Sequence, residues 1–404
     1  MYSYESLRWQ SQSFALSLAA ALVAGCSYSG DGLSVPSGTP EAGTGRDRDV
    51  GATKIDAGNR PEADAAVGEE EVDDAGAATP DGADRTDAIS DAGARTDSAD
   101  QTDAIFDASS RPDGADGAVL DPDTHWRFAV LGDSRGTTRG YNRAVFPRLL
   151  EAILDEHERF AIDLMLFPGD LIINSVDVLV DLASWAEATR PVHEAGIAIY
   201  PVRGNHEIGC DSSCWNRVFY GSRALPRNGP PGQEGLTYSF LHKNAFFVGF
   251  DNYVDKPVDV DWIQEKLDGN IRPHIFTFSH QPAFAAYHLD CLDDFPEERD
   301  RFWAALKRAG SRVYFCGHDH LYDHARVFDG DGERKNDIHQ FIVGTGGGPL
   351  HTFSPPYPGD NSGMKVGQID HAETYGYLLV EIDDLTATLT WMALETGAGS
   401  SWSY

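Results

Sequence analysis

Basic side chains are scarce in this sequence of 404 residues. It has 32 lysines and arginines against 64 aspartates and glutamates, which gives a formal net charge of −32 at pH 7. Because proteins bind the nucleic-acid backbone largely through Lys and Arg, we expect no nucleic-acid partner. A small anionic substrate is compatible with this composition, since bound metal ions can supply the positive charge that the surface lacks.

Large apolar side chains are almost absent from residues 27–123. This segment contains 24 acidic and 7 basic residues, a net charge of −17, and its only aromatic residues are Tyr28 and Phe106. Such a composition cannot bury enough apolar surface to offset the entropy that is lost on ordering. Its loose Asp-Ala and Arg-Thr-Asp units also lack the glycine-phased pattern of calcium-binding repeats. We therefore predict that residues 26–123 form an acidic, disordered tether and that residues 124–404 form the folded domain.

The apolar run near the N-terminus is short. It covers residues 14–25, and its 12 residues are too few to cross a bilayer as a helix but suit a signal peptide. The run ends in Val-Ala-Gly-Cys at Cys26, which resembles the lipobox of bacterial lipoproteins. The resemblance implies a signal peptide at residues 1–25 and a lipid anchor on Cys26, which would hold the protein in the bacterial cell envelope, in the periplasm, at the outer membrane or on the cell surface. The alternative is an ordinary secretory signal with an incidental cysteine.

Cysteine is also rare, with five residues in the whole chain. Cys210 and Cys214 lie in a polar stretch and are able to pair, because export makes disulfides possible. A zinc site there is disfavoured, since no second pair of closely spaced Cys or His residues accompanies them. Cys316 ends an apolar run and is predicted to be a buried thiol. The sequence alone does not fix the pairing of these three residues and Cys291.

Short apolar runs alternate with amphipathic stretches in the folded part. Buried strands are predicted at 126–131, 164–167, 197–202, 246–250, 274–278, 312–315 and 338–343. Helices are predicted at 141–157, 178–194, 260–267 and 296–309. Two later segments, 374–382 and 385–393, predict an antiparallel hairpin. The alternation indicates an α/β domain with a mixed sheet and helices on the sheet faces.

Several predicted strands are followed directly by residues that can bind a metal ion. These residues are Asp133, Asp170, Asn205, His206, His280, His318 and His320. Because the carboxyl ends of strands line the ligand crevice in α/β sheets, we expect the side chains to converge on one edge. The glycines that precede several of them allow tight turns and close approach of the backbone.

The motifs around these residues resemble a known superfamily. They are Gly-Asp at 132–133, Gly-Asp at 169–170, Gly-Asn-His-Glu at 204–207, Ser-His at 279–280 and Gly-His-Asp-His at 317–320. In this order they resemble the calcineurin-like metallophosphoesterases, which include the purple acid phosphatases, over residues 127–324. The resemblance implies an α/β fold in which two mixed β-sheets form a sandwich flanked by helices. It also implies hydrolysis of phosphate esters.

The resemblance further implies a role for each residue. It implies two ligand sets around a bridging carboxylate: Asp170 between the ions, Asn205, His280 and His318 on one ion, and Asp133 and His320 on the other. His206 corresponds to the histidine that protonates the leaving group or steadies the phosphate. Mixed oxygen and nitrogen donors fit one or two ions of Mn, Fe, Zn or Mg and do not select among them.

The first motif departs from the family pattern. Family members have a histidine two residues after the first aspartate, whereas purple acid phosphatases supply a tyrosine three residues after the second. Here these positions hold Arg135 and Ile173, and a guanidinium cannot ligate a metal ion. Three interpretations stay open. Both ions bind and Arg135 turns outward or grips a substrate phosphate; Arg135 takes the place of one ion; or Arg135 pairs with a nearby carboxylate and catalysis is poor.

The sequence therefore predicts a metal-dependent hydrolase of small phosphomonoesters or phosphodiesters that acts outside the cytoplasm. Hydrolysis of such esters needs an activated water molecule and neutralised phosphate oxygens, and metal ions supply both. The alternative is a non-catalytic module that binds metal or phosphate and has a degenerate first motif. His288 and Asp290 follow His280 in a predicted loop, where they either contact substrate or lie on the surface. The sequence does not indicate an oligomeric state.

Overall fold

A computed structural model describes residues 123–173, 177–254, 257–328, 330–359 and 364–404. The predicted signal peptide, Cys26 and nearly all of the predicted tether lie outside these residues. Among the helices that the structure describes, none is long and apolar enough to cross a membrane.

The described chain contains strands and helices in alternation. The strands are β1 His125–Val130, β2 Leu164–Pro168, β3 Ala198–Val202, β4 Tyr238–His242, β5 Ala245–Gly249, β6 His274–Phe278, β7 Val313–Cys316, β8 Tyr322–Phe328, β9 Ile338–Val343, β10 Lys365–Ala372, β11 Gly376–Asp383, β12 Thr386–Ala393 and β13 Gly397–Ser403. The α-helices are α1 Phe146–Arg159, α2 Val178–Ala188, α3 Arg190–Glu194, α4 Ser212–Val218, α5 Val260–Asp268 and α6 Pro296–Ala309.

The strands form two mixed sheets, as the family resemblance implies. The first sheet has the order β13-β12-β11-β1-β2-β3, with β1, β2 and β3 parallel and the later strands antiparallel. The second sheet has the order β10-β8-β9-β7-β6-β5-β4, in which β5, β6, β7 and β9 are parallel. The parallel strands of each sheet therefore end at a common edge.

Aromatic side chains pack the two sheets together and attach the helices. The Phe128 ring of β1 lies 5.0–6.2 Å from aromatic rings of β5, β6 and β7, so an apolar core fills the space between the sheets. On the outer face of the first sheet, Trp185 of α2 lies 5.1 Å from Phe167 of β2. On the outer face of the second, Phe302 of α6 lies 5.5 Å from Tyr314 of β7. The sandwich flanked by helices is confirmed.

Two predicted helices differ from the observed ones. The helix predicted at 178–194 is divided into α2 and α3, because Pro191 at the start of α3 has no N–H to donate to the preceding turn. The helix predicted at 141–157 begins only at Phe146. The residues before it form a turn. In this turn the Asn142 side chain accepts hydrogen bonds from the backbone N–H groups of Ala144 and Val145, at 3.0 and 3.1 Å.

The four cysteines of the folded part divide into one disulfide and two thiols. Cys210 and Cys214 form a disulfide that closes the turn after the Gly-Asn-His-Glu motif. The thiols of Cys291 and Cys316 are buried, as predicted for Cys316. Arg203 braces the same turn, since its guanidinium donates to the Cys210 carbonyl oxygen at 2.7 Å.

Candidate metal centre

The loops that follow β1, β2, β3, β6 and β7 meet at one edge of the sandwich. The structure brings together there all six residues predicted as ligands, namely Asp133, Asp170, Asn205, His280, His318 and His320. The two sheets are joined directly at this point, because the backbone N–H of His318 donates to both carboxylate oxygens of Asp133, at 3.0 and 3.1 Å.

Three donor atoms lie close to His280 Nε2 in the first half of the centre. His280 Nε2 lies 3.0 Å from Asn205 Oδ1, 3.2 Å from His318 Nδ1 and 3.4 Å from Asp170 Oδ1. An ion about 2.0–2.1 Å from each of four tetrahedral donors would separate them by about 3.4 Å. The three distances from His280 Nε2 are compatible with one coordination sphere, and ligand atoms of Asp133, Asp170 and His280 also lie within 4.8 Å of one another. Such a donor set fits a divalent cation.

Each histidine of the centre has its second ring nitrogen bonded to an acceptor. His280 Nδ1 lies 2.8 Å from the Pro168 carbonyl oxygen, and His320 Nδ1 lies 2.8 Å from that of Pro349. His318 Nε2 lies 3.3 Å from Asp290 Oδ1. When these nitrogens carry the proton, the lone pairs of His280 Nε2, His318 Nδ1 and His320 Nε2 point into the centre, which is the arrangement of metal-binding histidines.

Arg135 occupies the second half of the centre. His320 Nε2 lies 3.5 Å from Asp133 Oδ1, and Arg135 Nε is 3.3 Å from His320 Nε2 and 3.6 Å from Asp170 Oδ2. The guanidinium thus lies among the atoms that correspond to ligands of a second ion. Ile173 adds no ligand there, because its side chain contains no nitrogen, oxygen or sulfur atom.

The backbone at the centre has an unusual conformation. Asp133, Asp170 and His318 have φ angles of 58°, 51° and 70°, in the left-handed region that residues other than glycine rarely adopt. Neighbouring glycines leave room for their side chains. A Cβ atom at Gly204 would collide with the Asp170 carboxylate, and one at Gly317 with the Asp133 carboxylate. This is the close approach that the sequence predicts for glycines beside the ligands.

Burial shifts the ionisation of the whole centre. Burial and then the neighbouring Asp170 raise the pKa of Asp133 well above its usual range, and burial raises the pKa of Asp170 to about 7. Burial lowers the pKa of His280 well below the ordinary value and lowers that of His320 to about 2, with a further contribution from Arg135 to the latter. Buried carboxylates beside neutral imidazoles form a donor set whose ionised form requires positive charge nearby.

The Gly-Asn-His-Glu motif places His206 and Glu207 on either side of Asp170. The backbone N–H of His206 donates to Asp170 Oδ1 at 3.2 Å, and its ring Nε2 lies 3.6 Å from Asp170 Oδ2. Burial, followed by the charge of Arg135, lowers the pKa of His206 to about 3. Glu207 is buried and accepts from the backbone N–H groups of Gly204 at 2.8 Å and Ile172 at 3.0 Å, so it locks two loops together.

Asp319, His288 and His351 also belong to the centre, although the sequence alone does not assign them a role there. Asp319 accepts hydrogen bonds at 2.8–2.9 Å from three consecutive N–H groups of residues 286–288 and from His288 Nδ1. This places the His288 ring 4.5 Å from that of His318. The His351 ring stacks 4.5 Å from that of His320. The Gly-His-Asp-His motif indicates the contact between Asp319 and His288, because a buried aspartate between two ligands needs hydrogen-bond donors.

Comparison with known proteins agrees with this geometry. The model of the calcineurin-like phosphoesterase family matches residues 123–322. The folded part of the chain belongs to this family. Among curated proteins, no sequence matches the chain.

Solved structures share the fold. A purple acid phosphatase from yellow lupin (Lupinus luteus) seeds is similar with a TM-score of 0.55 and 15% identity, over 69% of this chain and 53% of that one. GAP50, the anchor in the inner membrane complex of Plasmodium, is similar with a TM-score of 0.50 and 14% identity, over 69% of this chain and 88% of that one. The chain spans about half the length of the lupin protein. At these identities the similarity establishes the fold alone.

Proposed function

We propose that this chain hydrolyses small phosphate esters with a metal ion held by four residues, Asp170, Asn205, His280 and His318. The proposal rests on three donor atoms, from Asn205, His318 and Asp170, that lie 3.0–3.4 Å from His280 Nε2. A divalent ion bound there would activate a water molecule and offset the negative charge of the phosphate oxygens. Membership of the calcineurin-like phosphoesterase family supports metal-dependent phosphoester hydrolysis.

We further propose that the Arg135 guanidinium takes the place of a second metal ion. Its contacts with His320 Nε2 and Asp170 Oδ2 put a permanent positive charge where the family pattern would put that ion. Its two Nη groups make no hydrogen bond to any residue that the structure describes, which leaves them available for phosphate oxygens. A guanidinium suits this task, because its planar fork of donors matches the geometry of a phosphate. The inward position of Arg135 is compatible with the second and the third interpretations, and we propose the second.

His206 is proposed to act on the same phosphate as Arg135. Its ring Nε2 and Arg135 Nε both lie 3.6 Å from Asp170 Oδ2. Because its pKa is lowered to about 3, the ring is neutral near pH 7 and can donate a hydrogen bond to a phosphate oxygen, but it carries no readily transferred proton for the leaving oxygen. His206 and Arg135 therefore are the two residues proposed to contact the substrate.

A panel of esters tests the function. The full chain is assayed with p-nitrophenyl phosphate, bis-p-nitrophenyl phosphate and nucleotides, each with Mn, Fe, Zn or Mg. We expect turnover that is lost on chelation and returns with the metal. The relative rates on the first two esters identify a monoesterase or a diesterase. Absence of turnover in every combination would contradict the proposal and support the non-catalytic binding module.

Asp290 is expected to tune the affinity for the metal ion. Its carboxylate accepts from His318 Nε2 at 3.3 Å, and this hydrogen bond lowers the pKa of Asp290. Removing such a partner of a ligating histidine usually costs about 10–100-fold in metal affinity. We expect that loss in Asp290→Ala, measured by competition with a chromogenic chelator. Asp294→Ala removes an exposed carboxylate four residues away and should keep the wild-type affinity. Equal affinities in the two variants would exclude this role.

We also propose that the protein is exported and anchored in the bacterial cell envelope through lipid on Cys26. The lipobox-like sequence supports this location, and so does the disulfide between Cys210 and Cys214, since disulfides persist mainly in oxidising compartments. Residues 26–123 would then act as a self-repelling spacer between the membrane and the enzyme. Processing should be blocked by globomycin, and a Cys26→Ala form that stays bound to the membrane would rule out the anchor.

A further inference from the structure

A second concave site lies at the end of the second sheet opposite the metal centre. It has a volume of about 320 Å³, and we name it the arginine pocket after its lining residues, which include Arg312, Arg326, Arg334, Lys335, Trp402 and Tyr404. Arg312 directly precedes β7, whereas the metal centre begins directly after β7. At about 3.3 Å per strand residue, the length of β7 separates the two sites by about 13 Å.

The charge of the arginine pocket is opposite to that of the chain around it. Residues 124–404 contain 24 basic and 39 acidic side chains. Four of these basic side chains line this one pocket, and none of its lining residues is acidic. Arg326 and Lys335 each lie 3.6 Å from one carboxylate, of Asp337 and Glu333 respectively, so the four cations are only partly compensated. An anion between them would reduce their remaining mutual repulsion.

Two of the guanidinium groups have their orientation fixed by the protein. Arg312 Nε donates to the Asp337 carbonyl oxygen at 2.9 Å. The Arg326 guanidinium lies 3.9 Å above the Phe328 ring and 3.6 Å from the Asp337 carboxylate. A guanidinium that is already oriented loses less entropy when it binds an anion.

Unpartnered polar atoms also collect at the arginine pocket. The Tyr404 hydroxyl is buried and has no hydrogen-bond partner among the described residues. Arg326 Nε is also buried without a hydrogen bond, although it is the atom that lies 3.6 Å from the Asp337 carboxylate. Arg334 is exposed and forms no ion pair within the described part of the chain. Buried polar groups in native proteins are nearly always partnered, so these atoms point to a ligand or to ordered water.

We propose that the arginine pocket binds a small anion that carries phosphate groups, at a site separate from the metal centre. Guanidinium groups bind phosphate through two parallel hydrogen bonds, and the volume is at the lower end of the range for ligand pockets. Trp402, which stacks 4.0 Å from the His339 ring, supplies a rigid apolar wall. A soluble phosphorylated molecule and the phosphate headgroup of a lipid share this chemistry.

The proposal is tested by titrating the metal-free full chain with tripolyphosphate in a calorimeter. The metal is removed by chelation because an ion in the metal centre would itself bind tripolyphosphate. We expect saturable binding that weakens at least about 10-fold when Arg312 and Arg326 are both replaced by glutamine. The matched control replaces Arg148 and Arg301, which are surface arginines paired with single carboxylates, and should bind as the wild type does.

A further variant excludes misfolding as a cause of weaker binding, and a second assay distinguishes a lipid headgroup from a soluble ligand. Arg334→Gln alters an exposed side chain and cannot disturb the core, so a weaker affinity in this variant cannot be ascribed to misfolding. Co-sedimentation with phosphatidylglycerol vesicles, with and without tripolyphosphate, distinguishes a lipid headgroup from a soluble ligand. Absence of binding to both probes, or binding that the arginine variants leave unchanged, would overturn the proposal. Either result leaves the proposed hydrolase activity untouched.

Discussion

Asp170→Asn is expected to lower the turnover of phosphate esters by more than about 10³-fold, which is about 4 kcal/mol of activation free energy. The reason is that Asp170 serves both halves of the centre. Its Oδ1 lies 3.4 Å from His280 Nε2, while its Oδ2 lies 3.6 Å from both Arg135 Nε and His206 Nε2. Asparagine keeps the shape of the side chain and tolerates the left-handed backbone, so the substitution removes the charge and little else.

The measurement is kcat together with the metal content of the purified variant. Asp163→Asn is the matched control, because it removes a carboxylate from the opposite end of β2, where Asp163 pairs with His242 and Lys243. The control should retain both turnover and metal. If Asp170→Asn kept wild-type turnover, the assignment of the centre would be wrong.

Arg135→His is expected to raise the tightly bound metal from about one ion per chain to about two, because an imidazole adds the missing nitrogen ligand beside Asp133 and His320. Arg135→Gln should instead keep about one ion and lose about 10²–10³-fold in kcat, since no positive charge then faces the phosphate on that side. The two variants thus distinguish two roles of the Arg135 guanidinium: it either substitutes for a cation or prevents a cation from binding. Elemental analysis and kcat give the two readouts.

Arg139→Gln is the control for both variants. It lies four residues further along the same loop, is exposed, and pairs with Asp181 away from the metal ligands. It should leave metal content and kcat unchanged. Two tightly held ions in the wild-type protein would show that Arg135 does not replace an ion, and the first interpretation would then stand.

The sequence predicted nine of the thirteen strands that the structure describes, because apolar runs bounded by polar residues leave few alternatives, and it missed β4, β8, β10 and β13. The run at 274–278 matches β6, and 338–343 matches β9. The polar residues after the strands are also well placed by sequence alone. Parallel strands must end at a common edge, so side chains far apart in the chain, such as those of His280 and His318, come within hydrogen-bonding distance.

What the sequence could not supply is the path of the loops. His288 reaches the centre only because Asp319, 31 residues later, gathers three backbone N–H groups of its loop. His351 lies beside His320 after a long excursion of the chain through β8 and β9. Such contacts depend on tertiary packing and leave no periodic pattern in the sequence.

Arg135 shows the same limit at a single residue. Its identity allowed three interpretations, because a guanidinium can turn outward, replace a cation or pair with a carboxylate. Only the distances from Nε to His320 and Asp170 show that the side chain turns inward, and they depend on how loops from different strands approach each other. The ligand roles of the surrounding residues and the metal identity stay predictions for the experiments above.

The left-handed backbone of Asp133, Asp170 and His318 has a consequence for protein design. The direction in which each of these side chains points is set by a φ angle that a regular helix or strand does not contain. Transplanting the ligand side chains onto such elements would therefore not reproduce the centre, even with every residue type retained. A designer who wishes to move this centre into another protein must carry the strand-end loops with it, including the glycines that leave room for the carboxylates.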